Sequence, residues 1–137
     1  MSFEASWRCQ ETVIRFTSHF DAGEYAAMED YFAPDGVWRR ADGDVVGLEQ
    51  LRAFLARRGT ALLARHLLSN LRTTVHANDR ATVDSYVTAY RAVAPAAPGT
   101  AVALGLPFLL GRYRDELVLE AGQWRIARRE LVVDFQG

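Results

Sequence analysis

Leu71-Arg72-Thr73-Thr74-Val75-His76-Ala77-Asn78-Asp79 is the stretch in which the chain changes its period. Leu71, Thr73 and Val75 alternate with Arg72, Thr74 and His76, the repeat of two expected of a strand with one covered face, and Asn78-Asp79 supplies a turn. The reading extends outward in both directions. Downstream, Ala81 to Val93 returns with Val83, Tyr86, Val87 and Tyr90, and Phe108 to Leu119 and Trp124 to Val133 form a second long pair around Gly122. Four long antiparallel strands are predicted. The segment from Ala94 to Pro107, rich in Ala, Pro and Gly, lies between the two hairpins and reads as a rim or lid.

Upstream the spacing is helical. Cys9, Val13, Phe16 and Phe20 fall at i, i+4, i+7 and i+11, which predicts a helix from about residue 4 to 20 with Gly23 as its left-handed cap. Tyr25, Met28 and Phe32 predict a second, shorter helix stopped by the Pro34-Asp35-Gly36 turn. Short strands at Val37–Arg40 and Asp44–Val46 flank an Asp42-Gly43 turn, and Leu48, Leu51, Phe54 and Leu55 mark a third helix that ends at Gly59. Three helices followed by a long antiparallel sheet make an α+β fold with the helices on one face, a single domain over residues 1–137.

Composition narrows the chemistry. The 137 residues are 50% hydrophobic and 24% charged, with a formal net charge of -1. That balance is globular and too even for a protein whose main partner is a phosphate backbone, so no nucleic acid is expected. All sixteen basic residues are arginine, which excludes Schiff-base chemistry, pyridoxal-phosphate anchoring and a lysine-bearing phosphate loop. The lone Cys9 lies on the first helix stripe and reads as core; it cannot form an internal disulfide or a thiolate metal site. No stretch approaches a membrane span and no targeting segment is visible, so the expectation is a cytoplasmic protein with no membrane partner. Histidine spacing gives no metal signature, and nothing calls for a cofactor.

Several strings then stand in one order: Phe16 to Asp21 with Gly23-Glu24-Tyr25; Phe32-Ala33-Pro34-Asp35-Gly36-Val37-Trp38; Arg65-His66-Leu67-Leu68-Ser69-Asn70; and Gly111-Arg112-Tyr113-Arg114-Asp115-Glu116-Leu117 with Trp124-Arg125-Ile126 and Arg128-Arg129. Together they resemble the SnoaL-like branch of the nuclear-transport-factor-two-like superfamily over nearly the whole chain. The resemblance implies a cystatin-like cone, a strongly curved antiparallel sheet packed against three N-terminal helices, that holds a small hydrophobic ligand and self-associates as a dimer or trimer. The chain is most similar to scytalone dehydratase and the bile-acid dehydratases, which use a histidine and an aspartate to remove a proton beside a carbonyl and expel water. Carried over, these are His66 and Asp21. The tyrosine those enzymes carry five residues before the aspartate is Phe16 here, which keeps the shape but has no hydroxyl to donate.

Imidazole is the side chain that changes charge nearest neutral pH, so His66 suits general acid-base work, with Asp21 to orient it. The plainer reading of His66 is a partly buried ring satisfied by a backbone carbonyl, and that of Asp21 a polar helix end. On an ideal wheel Asp21 lies roughly 100° off the apolar stripe, so it reaches the pocket only if the helix has ended. Asn70, four residues after His66, shares its face if the strand is regular, and a two-residue loop at Asn78-Asp79 pairs positions 66, 68 and 70 with 91, 89 and 87. Trp38 suits an aromatic wall. Tyr25, Tyr31 and Tyr113 are the hydroxyls that could replace the one missing at Phe16. Tyr113 and Asp115 share a face with Leu117, opposite Arg112, Arg114 and Glu116. Arg39-Arg40 and Arg128-Arg129 read as solvated or paired charges, and His19 and His76 as structural. The expected function is cofactor-free proton transfer of dehydratase, isomerase or cyclase type on a hydrophobic oxygenated compound. The alternatives are a non-catalytic ligand-binding or dimerisation module and the small subunit of a ring-hydroxylating dioxygenase.

Overall fold

A computed structural model describes residues 2–137. Helix α1 (Phe3–Ala22) starts on Ser2, whose hydroxyl accepts the Ala5 N–H. It ends on Gly23 at φ 73°, where the Gly23 and Glu24 N–H groups return to the Phe20 and His19 carbonyls in a Schellman motif. Helix α2 (Tyr25–Met28) runs into a 3₁₀ turn at Glu29–Tyr31. The second helix is therefore shorter than its spacing predicts. Phe32 already belongs to strand β1 (Phe32–Arg39), and Pro34-Asp35-Gly36 forms an irregularity inside that strand, not a terminating turn. Gly36 permits the bend, since a Cβ there would lie 2.8 Å from the Phe32 ring. β1 pairs with the short β2 (Val45–Val46) across the expected turn, and helix α3 (Gly47–Arg58) follows.

Strands β3 (Leu62–Ala77), β4 (Arg80–Val93), β5 (Leu109–Glu120) and β6 (Gln123–Gln136) are the four predicted long strands. They form an antiparallel run within a six-stranded sheet ordered β2-β1-β6-β5-β4-β3. The sheet is mixed and not wholly antiparallel, because β1 lies parallel to β6. A crossover through the remaining elements makes that possible, whereas the alternation within each strand reports a covered face but not a direction. The helices cover one face. There Phe16, Phe20, Met28, Phe32, Trp38, Leu51, Leu55 and Ile126 form one apolar cluster, and Cys9, Val13, Val83, Leu117 and Trp124 form another.

Register departs from the regular hairpin. Ala77 pairs with Arg80 around Asn78-Asp79 as expected, but irregularities at Val75–Ala77 and Ser69–Arg72 each shift the pairing by one. His66 therefore opposes Ala89 and Leu68 opposes Val87, not Arg91 and Ala89 as a regular hairpin requires. Asn70 sits in the second irregularity with φ 53°. It is exposed, and it lines a hollow on the outer face with Arg72, Asp84, Tyr86 and Arg112. The expectation that Asn70 shares a face with His66 is thus overturned, because one extra residue inverts the alternation.

Candidate functional site

His66 comes from edge strand β3, and Asp21 from the last turn of α1. One Asp21 oxygen lies 2.6 Å from His66 Nδ1, and the other accepts the His66 backbone N–H at 2.7 Å. Both side chains are about nine-tenths buried. An unpaired strand edge leaves N–H groups without partners, and the carboxylate satisfies one of them while fixing the ring. Asp21 reaches His66 from within the helix, which runs through Ala22, so the helix need not have ended for the contact to form. The flank of α1 that leaves the apolar stripe faces β3. A carboxylate in a last helical turn opposes the helix dipole, so the position is locally unfavourable and its two hydrogen bonds offset that cost.

With an ionised Asp21 accepting at Nδ1, the proton belongs on that nitrogen and Nε2 carries the lone pair. The ring lies 5.8 Å from Phe20. Phe20 in turn contacts Trp38 at 5.3 Å and Phe54 at 6.2 Å, and Phe16 packs edge-on against Trp38 at 5.4 Å. Trp38 and Phe16 thus lie behind Phe20 in the buried core and line neither hollow at the pair. Two open hollows reach the pair. One, of about 440 Å³, is lined by Ser18, Asp21, Ala22, Arg65, His66 and Leu67; the other, of about 190 Å³, lies between Phe20, Asp21, Tyr25, Arg58 and Ala64.

Tyr25 serves differently from the sequence expectation. Its hydroxyl donates to the Gly59 carbonyl, tying α2 to the end of α3, so that donor is already engaged. Tyr31 stacks on His19, which also pairs with Glu24, and His76 meets Thr82 at the surface. Tyr113 is buried on the covered face, as its alternation predicts, and burial holds its phenol above the ordinary tyrosine range and hence neutral.

Arg129 corrects the sequence reading most. It is paired, but not at the surface: it is 1% exposed, and its Nε and Nη2 meet the two oxygens of fully buried Asp115 at 2.7 and 3.3 Å. Nη1 and Nη2 both donate to Thr17 Oγ1 at 3.2 Å, and Thr17 donates onward to the Val13 carbonyl. The guanidinium lies 3.9 Å from the Tyr113 ring and 5.3 Å from Phe16. Burial holds the Asp115 carboxyl above the usual carboxylate range, with Arg129 opposing. For Arg129 burial acts to lower the pKa, but Asp115 and Tyr113 outweigh it and the net direction is upward. Regular alternation from Trp124 and Ile126 turns Arg129 outward, but Ala127 is skipped in the pairing of β6 with β5, which turns it inward. Segment 94–107 has no regular structure; Leu104 and Leu106 are 87% exposed, and residues 102–106 border a groove of about 370 Å³ with Leu63, Ala64, Arg65, Tyr90 and Ala92.

Comparison with solved structures places the chain among proteins of this architecture. A Mycobacterium tuberculosis protein of unknown function is 26% identical, with 97% of this chain and 78% of that chain covered at a TM-score of 0.81. A Novosphingobium aromaticivorans protein proposed to be a scytalone dehydratase is 22% identical over 95% of this chain and 84% of its own, with a TM-score of 0.78. A cystatin-like protein of unknown function from Nostoc punctiforme is 21% identical over 98% and 94%, with a TM-score of 0.79. Comparison with curated proteins gives no match. The SnoaL-like domain matches residues 1–130. With its helices, its curved mixed sheet and that match over nearly its whole length, the chain belongs to the SnoaL-like family.

Proposed function

We propose that the protein is a cofactor-free enzyme of dehydratase, isomerase or cyclase type, acting on a hydrophobic oxygenated compound. The observation that carries the reading is the double hydrogen bond from Asp21 to His66, through Nδ1 and through the backbone N–H. It fixes the ring and leaves Nε2 as the base. In a dehydration, Nε2 takes the proton from the carbon next to a carbonyl, and the electron pair forms the enolate. The neighbouring C–O bond then breaks, and the leaving oxygen takes the proton back from the imidazolium and departs as water. Asp21 stabilises the imidazolium between the two steps. Phe20, backed by Phe16 and Trp38, is the proposed apolar wall, and neutral Tyr113 is the donor proposed for the substrate oxygen in place of the hydroxyl that Phe16 lacks.

The test is turnover of a panel of bicyclic β-hydroxyketones followed by mass spectrometry. Loss of water catalysed by the wild-type protein and reduced at least ~100-fold in His66→Gln supports the assignment. Equal turnover by both contradicts it. A second reading, a binding or dimerisation module, is favoured by Phe16, whose fully buried ring offers no polar group to a substrate. An intact compound bound without change in every case supports that module. We further propose a cytoplasmic homo-oligomer associating through the outer sheet face, where Leu67, Tyr86 and Val132 are exposed. No helix among the described residues is long and apolar enough to cross a membrane.

A further inference from the structure

The groove of about 370 Å³ beside segment 94–107 has no part in the proton transfer proposed above. Its lining holds two arginines, Arg65 and Arg91, and no carboxylate, whereas both hollows at His66 include Asp21. Register sets its floor: Leu63 opposes Ala92 and Arg65 opposes Tyr90, so these four side chains stand on one face of the β3–β4 pair. That is the face of exposed Leu67 and Tyr86, opposite the one His66 shares with Ala89. The groove adjoins the hollows at His66, sharing Arg65 with the larger and Leu63 with the smaller.

Its polar groups are not spent on the protein. Arg91 lays its guanidinium on the Phe108 ring at 4.0 Å. Arg65 uses Nη1 on the Ala64 carbonyl at 2.7 Å and meets no carboxylate among the described residues, so Nε and Nη2 remain as donors. The hydroxyl of Tyr90, its cross-strand partner, makes no hydrogen bond among the described residues either. The facing wall is Val102, Leu104 and Leu106, and both leucines are 87% exposed. The segment is tied at its two ends, where Ala94 donates to the Ala61 carbonyl and Phe108 to that of Ala89; residues 101–107 make no backbone hydrogen bond among the described residues. Two leucines held in water on a strap fixed only at its ends leave apolar area that an occupant of the groove removes from solvent.

We propose that this groove binds an aliphatic carboxylate, with the carboxylate on Arg65 and Tyr90 and the chain between Leu63, Ala92 and the Leu104–Leu106 strap. Charge complementarity selects the occupant. A lining with two cations and no acid favours an anion, and the apolar wall requires hydrocarbon behind the charge. The inference concerns binding on the outer face of the sheet and does not depend on the enzymatic reading of His66. Carboxylate recognition by Arg is charge-assisted, so a preference of about tenfold or more over a neutral analogue of the same chain is expected.

The experiment is calorimetric titration with octanoate, with octanol, which has the same chain and no charge, and with butanoate, which has the charge and little chain. The wild-type protein is expected to bind octanoate at least ~tenfold more tightly than either of the others. Arg65→Gln reduces octanoate affinity several-fold and leaves octanol within about twofold, and Arg65→Lys recovers part of the loss. Leu104→Ser/Leu106→Ser, at two exposed positions, weakens octanoate and octanol alike. His66→Gln leaves octanoate binding unchanged even if it abolishes turnover, which separates this inference from the catalytic one. Equal affinity for octanoate and octanol, binding of neither, or a preference that survives in Arg65→Gln overturns the proposal. So does a preference lost in Arg91→Gln or His66→Gln but not in Arg65→Gln, which would assign the anion elsewhere. If Leu104→Ser/Leu106→Ser dissociates an oligomer in size-exclusion chromatography and keeps its octanoate affinity, the strap packs on a second copy and the proposal is likewise overturned.

Discussion

At the scale of single residues, Asp21 is the side chain whose position needs most explanation. A carboxylate in the last turn of α1 is placed against the dipole, yet it accepts two hydrogen bonds from one residue of a neighbouring strand edge. Asp21→Asn keeps the size but turns an amide donor toward a donor, and the variant is expected to lose about 1–3 kcal/mol in urea unfolding. An unchanged midpoint would show that the pair is decorative. Cys9 is a simpler case: burial raises its thiol to about 11, with Arg8 opposing weakly. Because the folded value lies above the unfolded one, the thiol's contribution to stability is complete below the unfolded pKa and is lost as pH rises through about 11. Iodoacetamide at pH 8 is therefore expected to label folded Cys9 at least ~100-fold more slowly than the urea-unfolded chain. Equal rates would contradict its burial. Cys9 was legible from spacing alone, whereas His66 and Asp21 were singled out through a family resemblance, since helical periodicity turned Asp21 away from the core stripe.

At the scale of elements, the long strands and their turns follow from alternation and turn chemistry, while the irregularities within them do not. An inserted residue has no composition of its own, yet it inverts every side chain beyond it until the next one. For this reason Asn70 does not share the face of His66 as expected, and Arg129, expected to be solvated or paired, is paired in the interior. Asn70 holds φ 53°, which a β-branched side chain adopts at a cost, so Asn70→Val is expected to destabilise by about 1–2 kcal/mol while Asn70→Gly is near neutral. Thermal unfolding distinguishes them, and equal melting temperatures would deny the strained backbone. Gly111 marks another irregularity, opposite Val133 after the shift at Leu110, and a Cβ there runs into the Val132 carbonyl oxygen. Gly111→Ala is expected to cost about 1–3 kcal/mol by overpacking, read from the same melts. The parallel pairing of β1 with β6 was likewise invisible, because residues at the two strand ends fix direction only once the helices between them are packed.

At the scale of the whole molecule, the cone is held by apolar clusters beneath the helices and by one ionic group at their centre. Arg129, Asp115 and Thr17 join β6, β5 and α1 in a single buried network. Removing one partner strands the other's charge, so Arg129→Met is expected to cost about 3–5 kcal/mol, and the Asp115→Leu/Arg129→Met pair to recover much of that loss. Equal stability of the single and double variants would show that the charges are not coupled. The class of fold and the covered face were legible in the sequence, but this network depends on an inversion in β6 that no local pattern reports. Elsewhere in the same cone, Asp21 is proposed to align His66 as a base. It is tested most directly by following deuterium uptake at the carbon beside the carbonyl of 1-tetralone in heavy water by NMR. The account predicts exchange at least ~100-fold faster with the wild-type protein than with His66→Gln, and a rate between the two for Asp21→Asn. Exchange no faster with the wild-type protein than with His66→Gln would contradict it.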